Sequence, residues 1–334
     1  MTVSVIVCTH LAARLHLLRA ALESLAAQTL PADEVIVVVD APDDLARQVE
    51  ALGLADVVVP MGQQSGLSRA RNAGIAASSH ELVAFLDDDA TADPGWLAGL
   101  VRSLTDDRAA LGVSGRSVPM WESSQPTWLP DEFLWVVGCS YRGLPEDRAV
   151  VRNFFGGCAC IRRSVFDRVG GFRSELGRTL TGHAGGEEAE LCLRAANALS
   201  GHFLYEPDAV IRHRVPDGRA TRRYFVDRCL GEGASKALVQ ALSGWAPLET
   251  ESAFLRHTIP AAVLTAARGV PRRNWSAAAK LAPLLTGVGV TGAGYLKAKR
   301  RLRKQGGRIG APPAIPVQVP RPAPHGSPRE ERVQ

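Results

Sequence analysis

The 334-residue chain is long enough for one large or two ordinary domains, and its 46% apolar content excludes a disordered or fibrous polymer. Its formal net charge of +5 is unevenly spread, so the basic run Lys297 to Lys304 (KAKRRLRK) is where an anionic partner is to be sought, and no nucleic-acid partner is expected. The cysteines Cys8, Cys139, Cys158, Cys160, Cys192 and Cys229 include no pair spaced like a zinc knuckle. The first apolar run, Val3 to Cys8, is too short to span a bilayer and has no basic segment before it. Reduced, mostly buried thiols in a cytoplasmic protein are therefore expected.

In chain order, SVIVC predicts a strand, the stretch with Leu15, Leu18, Leu22 and Leu25 on one face a helix, and VIVVV ending at Asp40 a second strand. Asp43 to Ala51 predicts a helix, Asp56 to Pro60 a strand, Ser65 to Ala77 a helix, and Glu81 to Leu86 a buried strand running into Asp87, Asp88 and Asp89. Such alternation implies an α/β fold with a mostly parallel central sheet flanked by helices. Polar residues collect at the carboxyl ends of successive strands, the edge where open α/β sheets leave a crevice with free backbone donors.

From Gly115 to Gly171 the pattern is irregular, with Trp121, Trp128, Trp135 and the glycine pair of NFFGGCACI (Asn153 to Ile161); a sheet extension and loops are expected there. A helix from Glu187 to about Leu199, a strand from Phe203 to Ile211 and a helix from about Thr221 to Leu242 follow. Leu281 to Leu296 is apolar, falls short of a bilayer span and meets the basic run at once. It suits either a core helix with a solvated basic end or a shallow attachment to an anionic cytoplasmic leaflet. From Gly306 onward, proline and arginine predict a disordered tail.

The acids of Asp87-Asp88-Asp89 follow a strand of apolar residues, where unpaired carboxylates cost several kcal/mol unless compensated. A divalent cation such as Mg²⁺ or Mn²⁺ suits these hard oxygen ligands; an acidic helix cap is the simpler alternative. Asp40 and Thr9 also end apolar strands, and GLSRARNAG (Gly66 to Gly74) offers Arg69 and Arg71 to phosphates or a base. In GEEAELCLR (Gly186 to Arg194), helical spacing puts Glu188 at the head of the apolar stripe with Leu191, Cys192 and Ala195, and Glu187 and Glu190 on the other side. Glu190 and Arg194 then form an i, i+4 pair. A carboxylate at the inward start of a helix is placed to accept a proton, and Gly185 and Gly186 leave room for close approach. Arg162 and Arg163 are further candidates to face a phosphate, or else surface charge, and the three tryptophans are either core or a stacking platform for a sugar.

SVIVCTH, VIVVVDAPDD, GLSRARNAG, VAFLDDDA, VGGF (Val169 to Phe172) and GEEAELCLR occur in the order, and at roughly the intervals, of the family 2 glycosyltransferases of GT-A fold. Over about Thr2 to Arg214 the chain resembles that family. The resemblance implies a GT-A (Rossmann-like) catalytic domain over 1–215, its nucleotide-sugar half about 1–115 and its acceptor half about 116–215. A helical, membrane-associated or core extension over 216–305 and a tail over 306–334 complete the expected organisation.

The resemblance also implies roles. Thr9 and Asp40 would contact the donor's base and ribose, Arg71 the nucleotide, and Asp87 and Asp88 would belong to a DXD-type motif in which Asp89 ligates Mn²⁺ or Mg²⁺. His213 would reach the metal or the diphosphate. The family's usual Glu-Asp pair is replaced here by Glu187-Glu188, whose second member would be the general base, one methylene longer than usual. Glu187, Trp121 and Gly157 are candidate acceptor or donor contacts. The implied activity is inverting transfer from a nucleotide-diphosphate sugar, a UDP-sugar favoured because uridine is commonest in the family, to a saccharide or lipid-linked acceptor. A nucleotide-sugar-binding protein without turnover is the competing expectation. A dinucleotide dehydrogenase is not supported, because THLAARL stands where G-x-G-x-x-G would follow the first strand.

Overall fold

A computed structural model of the chain describes residues 1–176, 185–243, 254–269 and 279–304; the tail predicted from Gly306 lies outside the described residues. The first half alternates as its sequence pattern implies: β1 (Val3–Thr9), α1 (Leu15–Ala26), β2 (Glu34–Val39), α2 (Asp43–Glu50), β3 (Val57–Pro60), α3 (Leu67–Ala77) and β4 (Leu82–Asp87). There follow β5 (Ala90–Ala92), α4 (Trp96–Asp106), β6 (Ala110–Trp121), β7 (Ala149–Val151), β8 (Cys158–Arg162) and α5 (Arg163–Val169). The last elements are α6 (Glu187–Leu199), β9 (His202–Val215), α7 (Arg222–Ser243), α8 (Ile259–Gly269) and α9 (Leu281–Lys304).

The strands form one mixed sheet in the order β3-β2-β1-β4-β8-β6-β9-β5, with β7 also on β9. β1, β2, β3 and β4 are parallel, which requires both sheet faces to be covered, and the residues divide accordingly. Val5, Val7, Val37, Val39, Leu82 and Leu86 pack on the face covered by α1, α2 and α4. Ile6, Ile36, Val38, Val83 and Phe85 pack on the opposite face with residues of α3, α5 and α6. Alternation of side chains along a strand thus splits a continuous apolar run between two cores.

Beyond β4 the sheet turns mixed: β8 is antiparallel to both β4 and β6, while β6 and β9 pair in parallel. That pairing slips between Gly115 and Arg116, where the partner jumps from Glu206 to Val210. The outer half of β9 is then free to pair with β5, in a register that sets His213 opposite Ala90. β9 runs past the expected end at Ile211 to Val215, because Ile211, His213 and Val215 are buried while the arginines between them face outward.

A third apolar cluster joins a 3₁₀ turn (Asp131–Val137) to α7, α8 and α9 through Phe133, Val137, Phe225, Cys229, Ile259 and Leu284. α9 packs along α7 at close range: a Cβ on Gly294 would stand 2.2 Å from the Leu230 carbonyl oxygen, and one on Gly233 would stand 2.0 Å from that of Thr291. No helix among the described residues is long and apolar enough to cross a membrane. The apolar segment from Leu281 packs against α7 and the third cluster, and leaves Leu285 58% and Leu296 55% exposed. Gly294→Val is expected to lower stability by about 1–3 kcal/mol through overpacking, whereas Gly289→Ala, which meets nothing within 4 Å, is expected to raise it by up to about 1 kcal/mol. Thermal unfolding of the two variants checks the contrast.

Candidate active site

The carboxyl ends of β1, β2 and β4 open into a cavity of about 1500 Å³. At one end lies the acidic triplet. Parallel pairing of β1 with β4 sets Cys8 beside Asp87, and the Thr9 hydroxyl donates to Asp88 Oδ2 at 2.7 Å. Arg14, from a 3₁₀ turn after β1, reaches Asp88 at 3.1 Å and Asp89 at 3.2 Å. The β5–β9 pairing brings His213 Nε2 to 3.3 Å from Asp89 Oδ1, and Arg219, just beyond β9, lies 3.7 Å from Asp89 Oδ2.

Burial and the charge of Asp89 push Asp88 up to about 6, against the pull of Arg14 and Thr9. Burial acts to raise Asp89 as well, but His213, Arg219 and Arg14 outweigh it and hold its carboxyl well below the usual range. His213 is pushed up to about 10: its burial acts downward, and the hydrogen bond and charge of Asp89 prevail. The two directions agree, as they must for a buried ion pair. Asp87, Asp89 and His213 present ligand atoms within 4.8 Å of one another, and two carboxylates with an imidazole form a donor set suited to a divalent cation. Arg219 Nη1 is a buried donor with no hydrogen-bond partner among the described residues, beside this cluster.

Across the cavity, α6 begins at Gly186 with the Glu187-Glu188 pair. Arg71, on α3, bridges the two acidic groups: Nη1 lies 3.0 Å from Glu188 Oε1 and 3.4 Å from Glu187 Oε1, and Nη2 lies 3.9 Å from Asp87 Oδ1. Its guanidinium sits over the Phe172 ring at 5.3 Å. Burial alone would lower the Arg71 pKa; the three carboxylates raise it above its ordinary value. Two glycines make the arrangement sterically feasible. A Cβ on Gly157 would stand 2.1 Å from Asp87 Oδ2, and one on Gly156 2.2 Å from Glu188 Oε1.

Thr9, Asp40, Arg71, Asp87, Asp88, Asp89, Gly157, Glu187, Glu188 and His213 all line this one cavity. Both oxygens of Asp40 accept backbone N–H bonds, from Ser65 at 2.6 Å and Gly66 at 2.8 Å, so Asp40 fixes the turn that opens α3. Trp121 is not among the lining residues and packs against the third apolar cluster; Trp135 lines the cavity instead. Arg69 is exposed.

Three expectations need correction. The inward face of α6 carries Glu187 and Glu190, only 3% and 2% exposed, while Glu188 keeps 21% of its side chain exposed. Counting apolar residues misplaces that face, because Arg71 compensates Glu187, and Arg173 at 2.6 Å and Arg194 at 2.9 Å compensate Glu190. The Glu190–Arg194 pair itself forms as expected. Second, Gly186 is approached by Ser235 and Val239 of α7. Third, Arg162 and Arg163 bind backbone carbonyls, of Ala110 and His80 among others, at 2.8 Å each, and face no phosphate site. Arg14 and Arg219 escaped sequence reading, since neither stands in a motif and PDGRATRR offers several equivalent arginines.

Among known protein families, residues 4–170 match the one described as Glycosyl transferase family 2. The chain belongs to glycosyl transferase family 2. It is similar to the glucosyl-dolichyl phosphate glucuronosyltransferase of Haloferax volcanii, 34% identical over 72% of this chain and 78% of that one. The succinoglycan biosynthesis protein ExoM of Rhizobium meliloti is 27% identical over 68% of this chain and 71% of its own. Among solved structures, a mannosyltransferase from Pyrobaculum calidifontis in complex with GDP-Man and Mn²⁺ aligns with a TM-score of 0.53 at 21% identity, over 87% of this chain and 86% of the other. GalNAc-T7 with UDP, GalNAc and Mn²⁺ aligns with a TM-score of 0.50 at 16% identity, over 77% and 54%. This family 2 protein is a glycosyltransferase, and its fold is GT-A.

The His213–Asp89 contact gives a direct check on the electrostatics. In metal-free Asp89→Asn protein, His213 is expected to fall from about 10 to the ordinary histidine range or below, since burial then acts without the opposing carboxylate. NMR titration of the His213 ring measures it.

Proposed function

We propose that the protein transfers a sugar, with inversion at the anomeric carbon, from a nucleotide-diphosphate donor to a hydroxyl of a lipid-linked or cell-envelope saccharide, with Glu188 as general base. The observation that carries this reading is the placement of two acidic groups on either side of Arg71 in one cavity: Asp87 with Asp89 and His213, and Glu187 with Glu188. Transfer of this kind needs two separate functions, one at the leaving diphosphate and one at the attacking hydroxyl.

Glu188 is the more accessible of the paired glutamates, and Arg71 holds its Oε1 in place. It takes the hydroxyl proton as the acceptor oxygen bonds to the anomeric carbon and the bond to the diphosphate breaks. A positioned base of this kind contributes about 10² to 10⁴ in rate. Asp87, Asp89 and His213 would hold the divalent cation, Mn²⁺ or Mg²⁺, whose Lewis acidity offsets charge on the departing diphosphate. Arg219, whose buried Nη1 has no hydrogen-bond partner among the described residues, would donate to a diphosphate oxygen. Thr9 ties Asp88 to β1, and Asp40 holds the Ser65–Gly66 turn as the floor of the nucleoside end.

A UDP-sugar is the favoured donor, with GDP-sugars the next to be tried in view of the mannosyltransferase neighbour's ligand. A lipid-linked acceptor is supported by the printed name of the Haloferax relative and by α9, which sets exposed Leu285 and Leu296 near a basic end. Each such basic residue adds about 1 kcal/mol of attraction to an anionic leaflet. Peripheral contact with the cytoplasmic face of a membrane accords with that pattern.

Calorimetry with UDP-, GDP- and dTDP-sugars is expected to find one that binds with Mn²⁺ and is lost in Asp89→Ala. Glu188→Gln is expected to keep that binding while transfer slows by about 10² to 10⁴. Near-normal transfer by Glu188→Gln would remove Glu188 as the base, and a product with the donor's anomeric configuration would remove inversion.

A further inference from the structure

We infer that Cys139 is a positioning residue for His213: its sulfur accepts the Nδ1–H of the imidazole and so leaves Nε2 as the nitrogen presented to Asp89 and the cation. The inference rests on the reading of His213 as a ligand given above and adds a residue that reading does not use. Cys139 Sγ lies 3.8 Å from His213 Nδ1, a separation suited to the large sulfur atom, while Nε2 lies 3.3 Å from Asp89 Oδ1. A nitrogen that gives its lone pair to a cation carries no proton, so the neutral ring keeps its proton on Nδ1 and needs an acceptor there. Histidine ligands ordinarily donate that N–H to a carboxylate, a carbonyl or water; here a thiol sulfur takes that role.

The backbone on either side of Cys139 is held against the strand next to His213. Gly138 and Cys139 close the 3₁₀ turn (Asp131–Val137) by donating to the Trp135 and Leu134 carbonyls, at 3.0 and 3.1 Å. β6 grips the same segment: the Ser140 N–H donates to the Ser117 carbonyl at 2.8 Å, the Ser117 N–H to Ser140 Oγ at 2.9 Å, and Ser117 Oγ to the Gly138 carbonyl at 3.2 Å. Because β6 pairs with β9 in a register that sets Pro119 opposite His213, thiol and imidazole are referenced to neighbouring strands. Gly138 adds a second, independent contact. With φ at +87° it takes the left-handed conformation, and a Cβ there would stand 3.3 Å from His213 Cε1 and 3.6 Å from Nε2, so bare backbone lets the segment close on the ring.

Burial decides that Cys139 acts through His213 and not on a substrate. His213, Gly138 and Ser117 line the cavity, whereas Cys139 is 0% exposed and is not among the lining residues. A thiol so enclosed is unsuited to act as a nucleophile or an oxidant sensor, both of which need access. It belongs to the third apolar cluster, with Val137, Val215, Phe225 and Cys229, and in such surroundings a hydrogen bond is stronger than in water. The packing of α7 and α8 into that cluster therefore helps to fix the thiol, and through it the direction of an imidazole carried by β9.

The test titrates Mn²⁺ into the full chain with UDP or GDP, whichever binds, and reads the dissociation constant by calorimetry and the nitrogen coupling of bound Mn²⁺ by pulsed EPR. Cys139→Ala is expected to weaken Mn²⁺ binding about 10- to 100-fold, the usual loss when the outer partner of a histidine ligand is removed, and to diminish the nitrogen coupling at saturating Mn²⁺. Cys139→Ser, whose hydroxyl can accept from Nδ1, is expected to recover part of both. A residue that acts through His213 has no effect once His213 is gone, so adding Cys139→Ala to His213→Ala protein is expected to leave its Mn²⁺ affinity unchanged. A loss of the same size with and without His213 would assign Cys139 to packing alone and overturns the inference, and so does unaltered affinity in Cys139→Ala. If the wild type shows no nitrogen coupling, or neither nucleotide brings Mn²⁺ to the site, the ligand reading of His213 fails first and takes the inference with it.

Discussion

Arg71 is the interaction on which the crevice depends. Three carboxylates, Asp87, Glu187 and Glu188, converge on its guanidinium, and a buried carboxylate without such a partner costs several kcal/mol. With it, two acidic groups that would repel each other share one cation and keep a fixed separation. The ring of Phe172 supports the guanidinium from one side, while the bare backbone at Gly156 and Gly157 leaves space for the carboxylates on the other. The helix that carries Arg71 is in turn fixed by Asp40, which binds the turn at its start. Strand ends, helix start and charge balance thus form one mutually dependent unit.

Much of this was legible in the sequence, for physical reasons that also explain what was not. Parallel strands buried on both faces are continuous apolar runs, so β1, β2 and β4 announce themselves, and so do the polar residues just beyond them. Asp89 and His213 are far apart in the chain, yet the family resemblance pointed to both, and strand pairing brings them together. Compensated charge was what escaped. Glu187 and Glu190 occupy the inner face of α6 because arginines meet them there, Arg71 and Arg173 from elsewhere in the chain and Arg194 one turn on, and a reading that aligns the face on apolar residues alone put Glu188 inward in their place. Arg162 and Arg163, conversely, spend their donors on backbone carbonyls at strand and helix ends, a service no local pattern reveals.

The carboxyl-terminal helices show how one composition satisfies two demands. Gly294, one of the glycines that make Leu281 to Leu296 a poor isolated helix, together with Gly233 of α7 permits α9 to lie against α7 at backbone distance. The same helix keeps leucines and a basic end on its outer surface, so packing inward and an amphiphilic exterior coexist.

The position of β9 has a consequence for how the protein is made. It lies between β6 and β5, although both are synthesised well before it. Until residues 202–215 leave the ribosome, β6 and β5 each present an unsatisfied edge, and Asp89 has neither its imidazole nor Arg219 beside it. The nascent chain therefore carries open strand edges and an under-compensated acidic cluster through much of its synthesis, a period in which exposed edges invite pairing with other chains. Insertion of β9 closes the sheet and completes the charge balance in a single late event.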